Sequence, residues 1–423
     1  MNNTVEKNMA VGIDLSDDFS EISYIDRSDM NVVTYRTGDD EEKFEIPTLA
    51  CKMPGEEGGW CFGEEAISAS QEYGVELIDS LVHRAIIGKP IYIDQNEKAD
   101  PVRLLGMFVT YVLLYPSEIN PQGIASLVIT TESIDPALPA IFEKILTNIR
   151  SDISEIRYIS HAESFFYYAL NQPIELWRDG VMLFDYNRAH FKMSSLVIDS
   201  SARPAIVMTE EKSYEDMVPF VEENAQLYDN IFREISENEM MNKRLSAVYL
   251  TGSSFGGRWA DKTFRFLCSR ARVFVGQNLY TKGACYAAAD LVGWTRLGSR
   301  YIFMDETRIN TFIGIRASDG VREDVIPLIS PGISWYDINA SAEFMLGTDR
   351  RISLVIRGSG DENEREAVIR CDWIPERPER TTRIRLDITC PKNNRLNCKV
   401  TDLGFGEIFP SAGLSREEII ELL

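Results

Sequence analysis

The sequence is short of positive charge. Its 423 residues carry 44 Lys and Arg against 66 Asp and Glu, a formal net charge of −22. Binding phosphates means neutralising them with Lys and Arg, so this balance argues against a nucleic-acid or anionic-membrane surface. Histidine is scarcer still, with only His83, His161 and His190, far apart along the chain. No CxxC pair occurs among the cysteines at 51, 61, 268, 285, 371, 390 and 398. Seven scattered thiols do not make a disulfide framework and point to a reducing, cytoplasmic setting. A zinc site from Cys390, Cys398 and a distant His is outweighed by ordinary burial of the thiols, and no metal site is assigned. The longest apolar run, near Leu104 to Tyr115, is too short to cross a bilayer, so no membrane insertion is expected. Met1 to Ala10 lacks the basic-then-apolar pattern of a secretory leader, and none is expected there.

What is present is the material of a folded chain. Hydrophobic residues make up 44% and charged residues 26%, enough for a real core, and the length predicts two to three domains. Val11 to Leu15 and Glu21 to Ile25 alternate in period two around a polar tip, Ser16 to Ser20, and predict a β-hairpin. Val32 to Arg36 and Lys43 to Ile46 extend it into an antiparallel meander. Asp100-Pro101 followed by apolar residues at three- and four-residue steps predicts a capped helix. Strands at Ala125 to Thr130 and Glu155 to Ile159 then alternate with helices at Asp135 to Ile149 and His161 to Leu170. That alternation predicts an α/β layer with parallel neighbours.

A second cycle starts at Gly180. Strands at Val181 to Phe184, Phe191 to Ile198 and Ala205 to Thr209 precede a long amphipathic helix predicted over Tyr214 to Asn242. Ala247 to Leu250, Trp259 to Cys268, Arg272 to Val275 and Thr281 to Val292 again alternate strand and helix. Each half opens with a hairpin carrying an Asp at its turn, so the architecture repeats although the residues do not. Beyond Tyr301 short alternating runs between Gly, Pro, Asn and Asp turns predict an all-β sandwich. Trp335, Trp373 and Phe405 are expected as its buried aromatics. Gly358 to Glu366 reads as a hairpin loop, and Ser415-Arg416-Glu417-Glu418 as a capping box opening a short final helix.

Several turns, in this order, resemble landmarks of the Hsp70 chaperones within the actin/hexokinase/Hsp70 ATPase superfamily. Val11-Gly12-Ile13-Asp14-Leu15-Ser16 resembles the first phosphate loop, and Phe184-Asp185-Tyr186-Asn187 occupies the place of the second. Gly63-Glu64-Glu65-Ala66, Arg84 to Lys89, Ile129 to Glu132 and Ile159 to Glu163 are similar to landmarks between them. Tyr249 to Ser254 resembles the adenosine loop, Lys282 to Ala287 the second connecting helix, and Tyr301 to Asp305 the interdomain linker. The resemblance implies a two-lobed actin/Hsp70-like (ribonuclease H-like) core over residues 1–298. A β-sandwich resembling the chaperone substrate-binding domain would follow over 299–423.

In such a cleft the resemblance implies ATP or ADP with magnesium, gripped by backbone N–H groups of two turns. It assigns Asp14, Arg84 and Asp185 to catalysis, with Ser16, Asp17, Arg188, Gly252, Ser253, Ser254 and Phe255 holding the nucleotide. The residues depart from that pattern. Ser16, Asp17 and Asp18 stand where a Gly and two Thr belong, and two unit charges at 4 Å repel by about 4 kcal/mol at an effective dielectric of 20. Tyr186-Asn187-Arg188-Ala189-His190 has no Gly, so side chains crowd where phosphates should approach. Arg84 replaces the catalytic Lys, His161 an expected Glu, and Phe255 an adenine-stacking Arg. Between Asp185 and Thr251 there is room for two strands and one helix, so the subdomain forming the second adenine wall is largely missing. No helical lid like that of the chaperones is expected after the β domain. The expected function is therefore an Hsp70-like pseudo-ATPase acting as a chaperone-like, protein-binding or scaffold module with a protein or peptide partner. The alternatives are a working ATP hydrolase with an unusual site and an actin-like assembly protein.

Overall fold

A computed structural model describes the chain except residues 1–5, 39–42, 56–57, 94–96, 150–152, 188–189, 202, 319–322, 359–363, 393 and 423. It divides into two compact units, Met1–Phe303 and Met304–Leu423.

In the first half of unit one, β1 (Met9–Leu15), β2 (Phe19–Asp26) and β3 (Val32–Thr34) form the meander, with β4 (Ile46–Pro47) added to β2. A hairpin of β5 (Ala50–Lys52) and β6 (Trp60–Phe62) leads into α1 (Gly63–Tyr73) and α2 (Leu81–Ile87). The small hairpin β7 (Ile91–Tyr92) and β8 (Lys98–Ala99) precedes α3 (Pro101–Leu114). Asp100 caps α3 by accepting from Val102 N, and Pro101 fills a position that needs no N–H donor. Next come β9 (Ile124–Thr131), α4 (Leu138–Ile149), β10 (Glu155–Ser160) and α5 (His161–Leu170). The second half repeats the plan with β11 (Val181–Tyr186), β12 (Phe191–Asp199), β13 (Ala205–Ser213), α6 (Ala225–Glu239), β14 (Ala247–Thr251), α7 (Asp261–Arg270), β15 (Arg272–Val275) and α8 (Leu279–Leu291). The short β16 (Tyr301–Met304) joins the edge of β13.

The two sheets share one topology. The first runs β10-β9-β1-β2-β3 and the second β15-β14-β11-β12-β13. In each, the opening strand pairs antiparallel with the next and parallel with the fourth. Asp14 therefore faces Glu21 and Thr130, and Asp185 in the same position faces Lys192 and Thr251.

The residue pattern explains the layering. Val11, Ile13 and Leu15 point into one core with Leu105, Phe108, Val109 and Phe142 from α3 and α4. On the opposite face Ala10 and Gly12 are small, which lets α8 lie close. A Cβ on Gly12 would fall 2.3 Å from Cys285 N, and one on Gly283 would fall 2.0 Å from Ser164 O. Helices α5 and α8 consequently pack against each other, sharing a core with both sheets through Val128, Phe165, Val181, Leu183, Ala284 and Ala288. The outer face of the second sheet buries Phe184, Tyr186, Phe191, Phe232 and Phe255. Each such side chain contributes about 1.5–3 kcal/mol when removed from water.

The helix expected over Tyr214 to Asn242 is shorter, Ala225–Glu239. Pro219 lacks an N–H and keeps Val218 extended, at φ −120 and ψ 138, so the helix forms only beyond them.

Unit two holds two four-stranded antiparallel sheets. One orders β18 (Glu323–Ile329), β17 (Thr311–Ser318), β20 (Arg351–Gly358) and β21 (Glu364–Arg370). The other orders β19 (Asn339–Met345), β22 (Arg383–Lys392), β23 (Arg395–Gly404) and β24 (Ser415–Glu421). The expected final helix is thus a strand. Ile420 and Leu422 are buried while Ile419 is exposed, a period of two, and β24 takes its hydrogen bonds from β23. Trp335 is buried and Trp373 partly so, but Phe405 is half exposed, at 50%, because it sits on a turn beyond β23. The hairpin loop expected near Gly358 to Glu366 lies mostly outside the described residues.

Candidate functional site

The strand ends carrying Asp14 and Asp185 are joined by side chains. His161 opens α5, where Ser160 caps the helix by accepting from Glu163 N. This places His161 Nε2 at 2.8 Å from Asp14 Oδ1, to which it donates. The imidazole lies flat on the Tyr280 ring, with centroids 3.7 Å apart and planes 11° from parallel. Tyr280, in the first turn of α8, donates its hydroxyl to Asp185 Oδ2 at 2.8 Å. His190, at the end of the second turn, approaches the same Asp185 oxygen at 3.3 Å and Glu132 at 3.5 Å. Lys192 closes the series on Glu132. The result is one polar chain, Asp14–His161–Tyr280–Asp185–His190–Glu132–Lys192, tying the first sheet to the second.

Its electrostatics favour a cation in the middle. Burial pulls the His161 pKa down, but the charge and hydrogen bond of Asp14, then Asp185 and Glu132, outweigh it and leave it above its ordinary value. Burial, with Asp185 beside it, pushes the Tyr280 hydroxyl well up, so it stays a donor. Burial also tends to raise Glu132, yet Lys192, His190 and His161 hold its carboxyl below the usual range. Behind Asp14, Glu21 is buried with Oε2 lacking a hydrogen-bond partner. Burial and then Asp14 raise it well above the normal carboxylate range.

The other predicted site residues are placed differently. Ser16 Oγ donates to Phe19 O at 2.7 Å and accepts from Phe19 N at 3.2 Å, closing its own turn. Asp17 Oδ1 accepts from Val82 N at 2.8 Å and His83 N at 3.1 Å, which caps α2. Arg84 turns back on Asp79, donating to its carbonyl at 2.7 Å and its carboxylate at 3.1 Å. Gly252 adopts φ +101 where a Cβ would sit 2.2 Å from Tyr186 O. Its N–H donates to Gln277 Oε1 and its carbonyl accepts from Gln277 Nε2, each at 3.1 Å. Ser253, Ser254 and Phe255 form one helical turn, and Trp259 Nε1 donates to Ser254 O. Phe255 is not at an open face: it is 4% exposed and stacks on Trp259, with Tyr186 and Phe232 around it. Arg188 lies outside the described residues.

These positions do not fit a magnesium nucleotide. The His161–Tyr280 stack stands between the two aspartates, Phe19 N of the first turn is spent on Ser16 Oγ, and the Asp17 carboxylate is spent on the start of α2. Tyr186 is buried, with its hydroxyl donating to Met217 O, and its backbone closes over Gly252. Among the described residues no group of three or more His, Cys, Asp or Glu has the arrangement of a metal site. Sequence reasoning missed Tyr280, Glu132 and Lys192 as members of the chain. The available signal was histidine scarcity, since two of only three histidines meet here.

The family model described as "Family of unknown function (DUF5716) C-terminal" matches residues 31–306, and "Domain of unknown function (DUF8552)" matches residues 308–422. Their junction falls close to the division of the structure after Phe303. No curated protein matches the chain.

Proposed function

The chain belongs to the DUF5716 family, and from its own residues we propose that it is an actin/Hsp70-type pseudo-ATPase serving as a protein-binding or scaffold module. Two features support the kinship. Both sheets run in the same strand order, each with an aspartate at the end of its opening strand. The helices following the last parallel strands, α5 and α8, pack together between those sheets. This internal duplication supports the kinship that the turn motifs suggest.

The observation that carries loss of catalysis is the Asp14–His161–Tyr280–Asp185 chain. In a working ATPase the two aspartates face an open, hydrated site. Here Asp14 accepts from His161 and Asp185 from Tyr280, and those two rings stack on each other. Opening that site means breaking two charge-assisted hydrogen bonds, each worth about 1.5–3 kcal/mol, before any phosphate contact forms.

The two sheets of unit two suit recognition of an extended peptide, because edge strands leave backbone N–H and C=O groups available for strand addition. A cytoplasmic setting agrees with seven free thiols. Among the described residues no helix is long and apolar enough to cross a membrane.

Phosphate release by the full chain with magnesium and ATP tests the reading. The expected rate equals the protein-free background. Turnover that disappears in both Asp14→Asn and Asp185→Asn would overturn it and restore the working ATPase. Growth into sedimenting polymers would instead favour the assembly protein.

A further inference from the structure

We infer that Cys51 and Cys61 form a reversible dithiol–disulfide pair that locks the β5–β6 hairpin. The two residues are direct cross-strand partners, flanked by Ala50 facing Phe62 and Lys52 facing Trp60. Met53 N donates to Gly59 O and Gly63 N to Leu49 O, each at 3.0 Å. Alternation along an antiparallel ladder then makes Cys51–Cys61 a hydrogen-bonded pair, with Cα atoms about 5.5 Å apart. Disulfides span Cα separations of about 4.4–6.8 Å, so the backbone needs no rearrangement to accept the bond. Directly opposite side chains leave the same face of the hairpin, so the two thiols are neighbours across the ladder.

The surroundings divide the roles. Cys51 is fully buried among Ala66, Ala69, Val75 and Leu77, whereas Cys61 is partly exposed. Cys61 is thus the thiol an external oxidant reaches, and Cys51 the one that resolves. With a low-molecular-weight disulfide such as glutathione disulfide, the Cys61 thiolate attacks one sulfur and breaks the S–S bond. One glutathione leaves as a thiolate and takes up a proton. Cys51, deprotonated in its turn, attacks the Cys61 sulfur and expels the second glutathione. Two protein thiols are oxidised and one external disulfide is reduced to two thiols, so electrons and protons balance.

No other described cysteines share this geometry. Cys390 and Cys398 lie on adjacent strands, but Cys398 faces Ile388. Cys285 donates to Ala10 O beneath the first sheet, and Cys268 stands exposed on α7. The bond would fix a hairpin whose Lys52 lies over Trp60 at 5.5 Å and reaches Glu97 at 3.7 Å. Oxidation therefore rigidifies the entry into α1.

The test uses the full chain carrying Cys268→Ser, which removes the exposed thiol. It is equilibrated in glutathione buffers from fully reduced to fully oxidised, acid-quenched, alkylated and mapped by mass spectrometry. The expected product is a Cys51–Cys61 disulfide formed below the unfolding threshold and reversed by dithiothreitol. Cys51→Ser should instead trap glutathione on Cys61, and Cys61→Ser should leave Cys51 unmodified. Two results would overturn the inference. One is stable glutathione on Cys61 with Cys51 intact. The other is both thiols staying reduced in the most oxidising buffer while circular dichroism shows a folded chain.

Discussion

Replacing His161 by Gln removes the charge at the centre of the polar chain while keeping a donor of similar size. Breaking a fully buried ion pair from one side costs about 3–5 kcal/mol. Here the His161 and Asp14 side chains retain 14% and 15% exposure, which brings the expected loss to about 2–3 kcal/mol. The pH dependence is more discriminating than the size. An unfolded imidazole titrates near 6.5, and Asp14 with its acidic neighbours holds the folded one higher. The pair's stabilisation is therefore complete below about pH 6.5 and is lost as pH rises through the raised folded value. Urea unfolding at half-unit steps from pH 5.5 to 9 should show unit one weakening with rising pH in the parent. The His161→Gln line should lie lower and flatter. A double-mutant cycle with Asp14→Asn should give a coupling above about 1 kcal/mol, because the residues touch. Parallel pH profiles, or additive effects within about 0.5 kcal/mol, would show that the two side chains are not coupled.

Three further outcomes are expected. In unit two, the Arg377 hydrogen bonds hold Asp402 down at about 2, with Gly404 and Ala412 N–H groups assisting. That difference from an unfolded value near 3.9 is worth about 2.5 kcal/mol, present above pH 4 and lost as pH falls toward 2. Asp402→Asn should flatten the acid unfolding curve read by near-ultraviolet circular dichroism, and an unchanged curve would contradict this. Gly252→Ala should cost more than about 2 kcal/mol because its Cβ meets Tyr186 O at 2.2 Å in a left-handed backbone. Gly38→Ala, with nothing within 4 Å, should be close to neutral in the same thermal melt. Tyr186→Phe should lose about 1–2 kcal/mol from the hydroxyl bond to Met217 O, without moving the His161 pH dependence.

Much of the fold was legible because local chemistry and tertiary demand agree. Asp100-Pro101 starts a helix in isolation and in place, and the alternation in Val11 to Ile25 matches a hairpin buried on both faces. Ser415 to Leu422 was misread because a capping-box pattern and a period-two burial pattern coexist there. The open edge of β23 decides for the strand. Glu323–Ile329 escaped notice because it is largely exposed and contains Pro327, and Asn339–Met345 because two of its three inward positions are only Ala340 and Ala342. At the site, the Asp14 and Asp185 positions were visible, since strand-end aspartates before a turn are local features. Arg84 misled because its partner, Asp79, lies five residues away and captures it locally. Tyr280 was invisible as a site residue because its role arises from α5 and α8 meeting across Ser164 and Gly283, a contact between distant segments.

In the proposed pseudo-ATPase, His161 and Tyr280 hold the place a nucleotide would take. Titration calorimetry of the full chain with ATP and with ADP, in magnesium, measures this directly. No saturable heat is expected for the parent at millimolar nucleotide. Saturable micromolar binding, abolished by Asp185→Asn, would contradict it.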